Sequence, residues 1–425
     1  MTIDAVLIVA FKYPPYAEVG GRRWARLSRH FADAGIQVHV LTVNWGDDGF
    51  GAMDLVRHPN IHIHRIPSLC FHRLRSNRLH LPKRVHGRLV RLLRKHEMLE
   101  DARHWGLVMV PHARRLIRRH GIKHVITTGA PYWANWWILK LKKTDPHVVL
   151  TQDLRDPWTD HPFRMRSYSQ RAILRAHRME AEVLAKSDLI VTITNAVRDL
   201  LSAKSAAPVR VVENGYEPRE FPEPGPAAPR PFWLMHAGTL ASGRDKPLRN
   251  FLRAVRTVTP EMPELRIRFW GPMRPDVTAE FADLIERRVL ELHDWAPVDE
   301  ITEEMRVNTY ACLHFISREL SPFLQSMKVF EYAFSHRPIL SIDYGGEMRR
   351  LVEEHRLGWS VDGDDQSAMQ AALRLLHRAW ADDPSAENQP LDLDRFAYSN
   401  LSKRYLALLE EAETGGAQKT LGVSS

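Results

Sequence analysis

Residue patterns that mark secreted or membrane-spanning proteins are scarce in this chain of 425 residues. It has only two cysteines, Cys70 and Cys312, which lie far apart and form no CxxC pair. Without a disulfide framework, the composition favours a reducing compartment and cysteines that act as small buried hydrophobes. No apolar run approaches the roughly eighteen residues that a membrane-spanning helix requires. We therefore expect a protein that is not integral to a membrane.

The amino-terminal stretch MTIDAVLIVAFKYPP also lacks the features of a signal peptide. Its apolar run has only about seven residues, and Asp4 stands where a signal peptide carries positive charge. A first buried parallel strand is the better interpretation, and it is consistent with a cytoplasmic protein.

Acidic residues are missing from two stretches of the first half, in a chain of formal net charge +9. Residues 72–96 contain nine Lys or Arg, and residues 113–124 contain five, with no acid in either stretch. Such patches favour anionic partners. Helical spacing in the first stretch brings apolar and basic side chains together: Leu89, Leu92 and Leu93 beside Arg88, Arg91, Arg94 and Lys95. This pattern is typical of a basic amphipathic helix on an anionic membrane surface, or of a solvated basic helix face.

Nucleic acid is a weaker candidate partner for the basic segment 72–124. Aromatic residues are not interleaved with the cations, as a stacking platform for bases would require. We expect no nucleic-acid binding, and a possible peripheral location on the inner face of the plasma membrane.

Apolar runs and helical patterns alternate along almost the whole chain. This βαβα order predicts parallel sheets with helices on both faces, that is, doubly wound α/β domains. The segment 217–231, with six prolines, interrupts the alternation and predicts a linker. We therefore predict one Rossmann-like domain over 1–216, completed by a returning helix at 393–412, and a second over 232–392. The tail 413–425 is predicted to be disordered.

Ligands of open α/β sheets bind beyond the carboxyl ends of the strands, so the loops there are the candidate sites. In the first half, the candidate binding residues of these loops are Gly20 and Gly21 in one loop, Gly129 and Asn135 in another, and Asp153, Arg155 and Asp156 in a third. The two adjacent glycines allow close approach of a ligand to the backbone before a helix, or they make a simple turn. The two acids with an arginine after an apolar strand indicate a site, or a salt-bridged loop. No carboxylate cluster suitable for a hard cation is visible, so no metal is expected.

In the second half, Gly238 and Thr239 end an apolar strand, and Arg244 and Lys246 follow before a helix. Two cations at a helix amino terminus suit a diphosphate, although a solvated surface loop has the same composition.

The stretch SMKVFEYAFSHRPIL, residues 326–340, places a lysine and a glutamate on a predicted core helix. Met327, Phe330 and Phe334 have the spacing of a buried stripe, whereas Lys328 and Glu331 are neighbours on an adjacent face. Ser326 is a candidate helix cap. A carboxylate can accept hydrogen bonds from two ribose hydroxyls, although the two side chains can equally form a surface ion pair.

These motifs, taken in order, resemble family GT4 of the GT-B glycosyltransferases. The resemblance lies in Gly20-Gly21 and in the stretches RDPW, ENGYEPREF, HAGTL…GR and SMKVFEYAFSHRPIL, and it spans roughly residues 3 to 410. It implies two Rossmann-like domains facing a cleft, with acceptor bound by the first and nucleotide-sugar by the second. It also implies sugar transfer, with retention and without a metal or cofactor, the nucleotide-sugar being a co-substrate.

Position by position, the resemblance assigns a role to each candidate residue. Arg244 and Lys328 would face the donor diphosphate, and Glu331 would hold the ribose. Donor contacts would also come from Gly20, Gly21, Gly238 and Thr239. The acceptor side would contain Gly129, Asn135, Asp153, Arg155 and Asp156, with Asp156 counted as catalytic beside Arg244 and Lys328.

One feature of the family block leaves the donor sugar open. Many members have a glutamate eight residues before the one that matches Glu331, where this chain has Phe323. The resemblance therefore does not identify the sugar. A lipid-linked or glycan acceptor in cell-surface polysaccharide or glycolipid synthesis is expected. A nucleotide-sugar epimerase or a non-catalytic sugar-nucleotide-binding protein is the alternative.

Overall fold

The computed structural model describes residues 3–16, 19–45, 54–68, 81–95, 102–221, 229–240 and 243–421. Residues outside these ranges include Cys70, residues 72–80 and 96 of the first basic stretch, residues 222–228 of the proline-rich segment and residues 422–425. Within them, no helix is both long enough and apolar enough to span a bilayer.

The chain forms two compact units, and the second is continuous in sequence. The first unit comprises Met1–Glu213 and Tyr398–Ser425, and the second comprises Asn214–Ala397.

The first unit is built around a seven-stranded parallel sheet with the order β3-β2-β1-β4-β5-β6-β7. Its strands are β1 Ala5–Val9, β2 Gln37–Val43, β3 Ile61–Ile66, β4 His124–Gly129, β5 Val149–Leu154, β6 Leu189–Thr192 and β7 Val209–Val211. Its helices before the second unit are α1 Val19–Asp33, α2 Lys83–Lys95, α3 Gly106–His120, α4 Trp133–Ile138, α5 Leu141–Thr144, α6 Gln170–Lys186 and α7 Asn195–Ser202. A short 3₁₀ turn, Met165–Ser167, lies between β5 and α6.

The second unit has a six-stranded parallel sheet with the order β10-β9-β8-β11-β12-β13. Its strands are β8 Trp233–Ala237, β9 Arg266–Trp270, β10 Leu290–His293, β11 Ala311–Phe315, β12 Ile339–Asp343 and β13 Gly358–Asp362. Its helices are α8 Asp245–Val258, α9 Pro275–Glu280, α10 Ala282–Glu286, α11 Val298–Val307, α12 Met327–Phe334, α13 Glu347–Glu354 and α14 Gln366–Asp382. The apolar runs predicted as strands form the centre of both sheets because buried parallel strands require continuous apolar sequence.

A final helix, α15 (Tyr398–Leu421), returns to the first unit and completes its core. Tyr405 packs edge-on against Trp24 of α1, with ring centroids 5.5 Å apart. Leu401 and Leu409 are fully buried in the same apolar cluster. The helix therefore buries one face against α1, which accounts for its length better than local helix propensity does.

The structure corrects three details of the predicted organisation. The units divide between Glu213 and Asn214, ahead of the proline-rich segment, because the Asn214 amide hydrogen-bonds to the Gln325 carbonyl and Tyr216 stacks on Phe334. The returning helix begins at Tyr398 rather than 393. Helix α15 runs through Leu421, so residues 413–421 are not a disordered tail. Glu413 is held there by an ion pair with Lys123 and a hydrogen bond with His124 Nε2.

Candidate functional site

The loop after β8 brings Gly238 against the end of the Lys328 side chain. Gly238 has φ +124°, and a Cβ atom placed on it would lie 1.4 Å from Lys328 Nζ. A side chain at this position is therefore excluded on two grounds, the backbone conformation and the space taken by the ammonium group. The amide of the preceding residue, Ala237, donates to Tyr332 Oη at 3.1 Å, which fixes the strand end to α12.

The environment of Lys328 lowers the pKa of its ammonium group from 10.5 to about 8. Burial is the largest cause, and the positive charge of Arg244 adds to it. Glu331, one helical turn further on, acts in the opposite direction because a negative charge favours the protonated lysine. The lysine is thus a buried cation next to a second cation, Arg244, and a bound anion would stabilise its protonated form.

Arg244 is the residue directly before α8, and it completes the cationic group. Its Nη1 donates to the carbonyl oxygen of Thr239 at 3.0 Å. Its Nε is buried and has no hydrogen-bond partner in the part of the chain that the structure describes. Burial also lowers the pKa of this guanidinium. Thr239 itself is exposed, so only its backbone is known to act here.

Two buried histidines lie close to the two cations. His236 of β8 is hydrogen-bonded through Nδ1 to the Leu313 carbonyl at 2.9 Å, so Nδ1 carries the proton. Its Nε2 has no partner in the described ranges, and neither has Nδ1 of His314 on β11. Burial, with the charges of Lys328 and Arg244, lowers the pKa of His236 to about 3 and that of His314 well below 6.5.

The sequence interpretation missed these two histidines. Each is a single histidine inside an apolar strand, and such residues are usually satisfied core side chains. Their proximity to Arg244 and Lys328 depends on the neighbouring position of β8 and β11 in the sheet, which no local pattern reports. The four residues together form what we call the basic cluster: His236, Arg244, His314 and Lys328.

Three other predictions for the second unit have different outcomes. Met327 and Phe330 are buried, whereas Phe334 is only partly buried and stacks on Tyr216. Ser326 precedes α12 but makes no capping hydrogen bond with its side chain. Lys246 is exposed and pairs with Asp364 at 2.8 Å, so it stands outside the basic cluster.

In the first unit, Arg155 joins two of the predicted glycines. Its Nη2 and Nε donate to the Gly129 carbonyl at 3.0 and 3.2 Å. A Cβ atom on Gly20 would lie 2.8 Å from Arg155 Nη2, and one on Gly21 would lie 3.0 Å from the Tyr16 carbonyl. Both glycines belong to the first turn of α1 and do not precede the helix as predicted. Their need for glycine comes from close contacts within the first unit.

Asp153 does not line an open surface, contrary to its predicted place on the acceptor side. Its side chain is fully buried and pairs with the equally buried Arg23 at 3.4 Å. Tyr405 lies beside it, and burial followed by the charge of Asp153 raises the pKa of that phenol well above 10. The pleat of β5 directs this side chain towards α1 and α15, so Asp153 supports the core of the unit.

Asn135 is also buried, which the prediction of an acceptor-side role did not anticipate. Its amide donates to the Thr127 carbonyl at 3.1 Å and to Gln152 Oε1 at 2.7 Å, so it links α4 to β4 and β5. Asp156 differs, because it is half-exposed and its carboxylate makes no hydrogen bond or ion pair within the described ranges. Its backbone carbonyl accepts a hydrogen bond from Tyr132 Oη at 2.8 Å. Asp156 is therefore the predicted acceptor-side carboxylate that remains accessible.

Across the described residues, no group of three or more His, Cys, Asp or Glu side chains is arranged to hold a metal ion. Cys312 is buried in β11, as expected of a small hydrophobe.

Two family models match most of the chain. The one described as glycosyl transferase 4-like domain matches residues 20–215, and the one described as glycosyl transferases group 1 matches residues 231–378. A search of curated proteins by sequence found no match.

Several solved structures share the fold at low sequence identity. A glycosyltransferase from Rickettsia africae ESF-5 superposes with TM-score 0.63 and 12% identity, covering 97% of this chain and 99% of that chain. A mutant of S. aureus TarM in complex with Fondaparinux, alpha-GlcNAc-glycerol and UDP gives TM-score 0.61, 10% identity and coverages of 96% and 100%. The UDP-GlcNAc 2-epimerase from Methanocaldococcus jannaschii superposes with TM-score 0.56 and 11% identity, covering 96% of this chain and 99% of that chain. At such identities, these similarities establish the fold alone.

Proposed function

Because this chain belongs to the group 1, GT4-like glycosyltransferases of the GT-B fold, we propose that its second unit binds a nucleotide-sugar donor and its first unit an acceptor. The main support for a donor site in the second unit is the basic cluster. Lys328 Nζ packs against Gly238, and Arg244 has a buried Nε with no partner in the described ranges. A diphosphate would supply the negative charge that this cluster lacks.

The proposed reaction breaks the bond between the anomeric carbon of the sugar and the terminal phosphate oxygen of the donor. The oxygen of an acceptor hydroxyl forms the new bond to the same carbon, on the face that the phosphate leaves, and its proton passes to the departing phosphate. Negative charge grows on that phosphate as the bond breaks. Arg244 and Lys328 stabilise this charge more strongly than they stabilise the ground state, which accelerates the transfer.

Glu331 is proposed to hold the ribose of the donor. It is half-exposed and lies one helical turn after Lys328. An ionised carboxylate has two oxygens and can accept from two adjacent hydroxyls. The cation for phosphate and the acceptor for ribose would then be presented by one helix, α12.

A lipid-linked acceptor is supported by the surface of α2. Val85 and Leu92 are exposed there, with 52% and 57% of their surface accessible. Exposed cations of the same helix form no ion pair within the described ranges: Lys83, Arg84, Arg88, Arg91 and Lys95. Exposed apolar residues flanked by these cations favour contact with an anionic bilayer, where each cation contributes up to about 1 kcal/mol.

The donor is tested with purified protein and a panel of UDP-, GDP-, ADP- and TDP-sugars. Binding of the correct donor should raise the melting temperature by an amount that grows with donor concentration and affinity. UDP-sugars come first, because the similar S. aureus protein was crystallised in complex with UDP. Failure of all four classes to bind would contradict the proposal.

Product analysis separates transfer from the epimerase alternative, which the fold does not exclude. A free nucleotide with a glycosylated acceptor supports transfer, whereas an altered nucleotide-sugar without acceptor consumption supports epimerisation. Two matched variants test the role of the lysine: Lys328→Met should weaken donor binding, and Lys246→Met is its control. The second removes an exposed lysine that already has a carboxylate partner, Asp364, and should leave donor binding unchanged.

A further inference from the structure

A cavity in the first unit lies between α2 and the connection from β5 to α6. Its volume is about 490 Å³, within the range of small-molecule sites. Val90, Arg91 and Lys95 line it from α2, and Arg166, Ser167 and Tyr168 line it from the other side. The amide of Ser169 donates to the Lys95 carbonyl at 2.9 Å, so the two walls are joined at one end.

The cavity is rich in positive charge. Among the described residues that line it there are three cations and no acid, and two hydroxyl groups add neutral donors. Arg91 and Lys95 form no ion pair within the described part of the chain. Arg166 lies over the Phe163 ring at 4.4 Å, which limits the directions in which its guanidinium can point. Converging cations with hydroxyl donors match the acceptor-rich surface of a phosphate group.

The position of the cavity relates it to the acceptor side. The connection from β5 to α6 begins with Arg155 and Asp156 at the carboxyl end of the strand, and it also carries Arg166 and Tyr168. The opposite wall is the same helix, α2, that exposes Val85 and Leu92. The same helix thus presents the cationic wall of the cavity and, on another face, two exposed apolar residues suited to contact with acyl chains.

We propose that this cavity binds the phosphate or diphosphate group of an anionic lipid acceptor, and so positions the acceptor relative to the bilayer. This inference rests on the proposed function, since it specifies the acceptor that the first unit takes. It differs from general attraction to a charged membrane, because it requires one defined cavity with a fixed set of lining residues.

Gly87 offers a test that leaves every charge in place. It faces the cavity, and a Cβ atom placed on it would meet no other atom within 4 Å. Gly87→Leu therefore fills space in the cavity without a backbone clash, and it replaces a poor helix former by a good one. We expect inorganic diphosphate to bind about tenfold more weakly, because the leucine side chain takes space that the anion would occupy.

Two charge variants complete the comparison. Arg91→Gln removes a cation that lines the cavity, and Arg84→Gln removes an exposed cation of the same helix that does not line it. Diphosphate binding, measured by calorimetry, should fall about tenfold in Arg91→Gln and less than about twofold in Arg84→Gln. Equal weakening in both would reduce the site to a diffuse charge effect and overturn the inference.

Vesicles distinguish a lipid phosphate from free diphosphate. Wild-type protein should bind phosphatidic acid vesicles more tightly than phosphatidylserine vesicles of matched surface charge, and Gly87→Leu should abolish only this preference. Diphosphate binding without any preference between the vesicles would assign the site to a free anion and contradict the lipid assignment. Melting temperatures with the nucleotide-sugars are measured for the same variants. Unchanged donor binding with lost phosphate binding supports the inference, and absent donor binding in wild-type protein refutes the proposed function separately.

Discussion

The Nζ atom of Lys328 occupies the space that the Cβ atom of any residue other than glycine would need at position 238. The glycine in the loop and the lysine on the helix are thus parts of one feature, although 90 residues separate them in the sequence. The ammonium group reaches the carboxyl end of β8 only because the loop backbone leaves it this space.

Gly238→Ala should displace Lys328 from the strand end. We expect the transfer rate to fall by about tenfold or more, the effect of moving one charge that stabilises the transition state. The measurement is steady-state turnover of the donor identified in the thermal-shift panel. Gly121→Ala is the control, because Gly121 also has a positive φ, +62°, but has open space around its Cβ position. Equal losses in both variants would show that backbone strain, rather than the lysine, is responsible.

Donor binding should take up protons near neutral to mildly alkaline pH. In the free protein the pKa of Lys328 is lowered to about 8, so the neutral amine becomes the main form as the pH rises through this value. A bound diphosphate favours the ammonium form and raises this pKa again. Nucleotide affinity should therefore decrease above about pH 8, with proton uptake detected by calorimetry in buffers of different ionisation enthalpy. Lys328→Met should abolish this uptake, and uptake that persists in the variant would contradict the assignment.

Acid should destabilise the second unit through the buried histidines of the basic cluster. The pKa of His236 is lowered to about 3 by burial, then by Lys328, while the unfolded chain keeps the usual value of 6.5. Between these values the unfolded state binds more protons, so the free energy of unfolding decreases as the pH falls below about 6.5. Melting curves from about pH 7.5 to pH 5 check this, and His236→Gln should show a weaker pH dependence than wild-type protein. A glutamine can keep the hydrogen bond to the Leu313 carbonyl, so the variant removes mainly the titrating group. If its melting temperature depends on pH as steeply as that of wild-type protein, the prediction is contradicted.

A second acid-sensitive group lies in the first unit. His39 of β2 packs against His62, His64 and His120, with Nδ1 of His39 and Nε2 of His64 3.1 Å apart. Burial, followed by the charges of these three histidines, lowers the pKa of His39 to about 4. As with His236, the unfolded chain binds more protons than the folded protein in this pH range. The free energy of unfolding of the first unit should therefore also decrease as the pH falls from about 6.5 towards 4. His39→Gln should reduce this loss in a separate unfolding transition followed by tryptophan fluorescence, and identical curves would contradict it.

The buried ion pair between Arg23 and Asp153 should matter for stability more than for acceptor binding. Asp153→Asn leaves the guanidinium without its charged partner, and we expect a loss of about 3–5 kcal/mol in the free energy of unfolding. Urea denaturation measures this, with Arg29→Met as control. That arginine forms a partly exposed ion pair with Asp33, and its removal should cost at most about 1 kcal/mol. A raised KM for acceptor in folded Asp153→Asn, with stability unchanged, would restore the acceptor-side role that the sequence predicted.

Chelation should leave the transfer reaction intact. The groups proposed to face the donor phosphate are Arg244 and Lys328, which compensate its charge without a bridging cation. Turnover in the presence of EDTA should therefore stay within about twofold of the untreated rate. A loss that Mg²⁺ or Mn²⁺ restores would contradict the metal-independent scheme.

The parts of this protein that could be predicted from sequence are those encoded by local pattern. The apolar strands gave the two doubly wound domains, and helical spacing on α12 separated the buried Met327 and Phe330 from Lys328 and Glu331. The sequence does not separate strand β10 from α10, because only Arg287, Arg288 and Val289 lie between them and none of the three is a Gly or Pro. A strand of four residues carries too little periodic signal to compete with a helix.

The side-chain environments could not be predicted, because they depend on which strands become neighbours. Asp153 and Asp156 are both acids near one strand end, yet the first is buried against Arg23 and the second is half-exposed. Asp153 lies within β5, where the pleat directs its side chain into the core, whereas Asp156 lies beyond the end of the strand. His236 and His314 were missed for the same reason. Their role as neutral neighbours of two cations exists only in the assembled sheet.

The return of α15 to the first unit has a consequence for biosynthesis. Residues 214–397 form a unit that is continuous in sequence. In the first unit, by contrast, Trp24 and Asp153 contact Tyr405, which the ribosome adds only after the whole second unit. Folding during translation would therefore finish in the reverse of the usual order, with the domain synthesised first completing its core last. Until then the apolar face of α1 lacks its cover, so the nascent amino-terminal half is the part that most needs a chaperone.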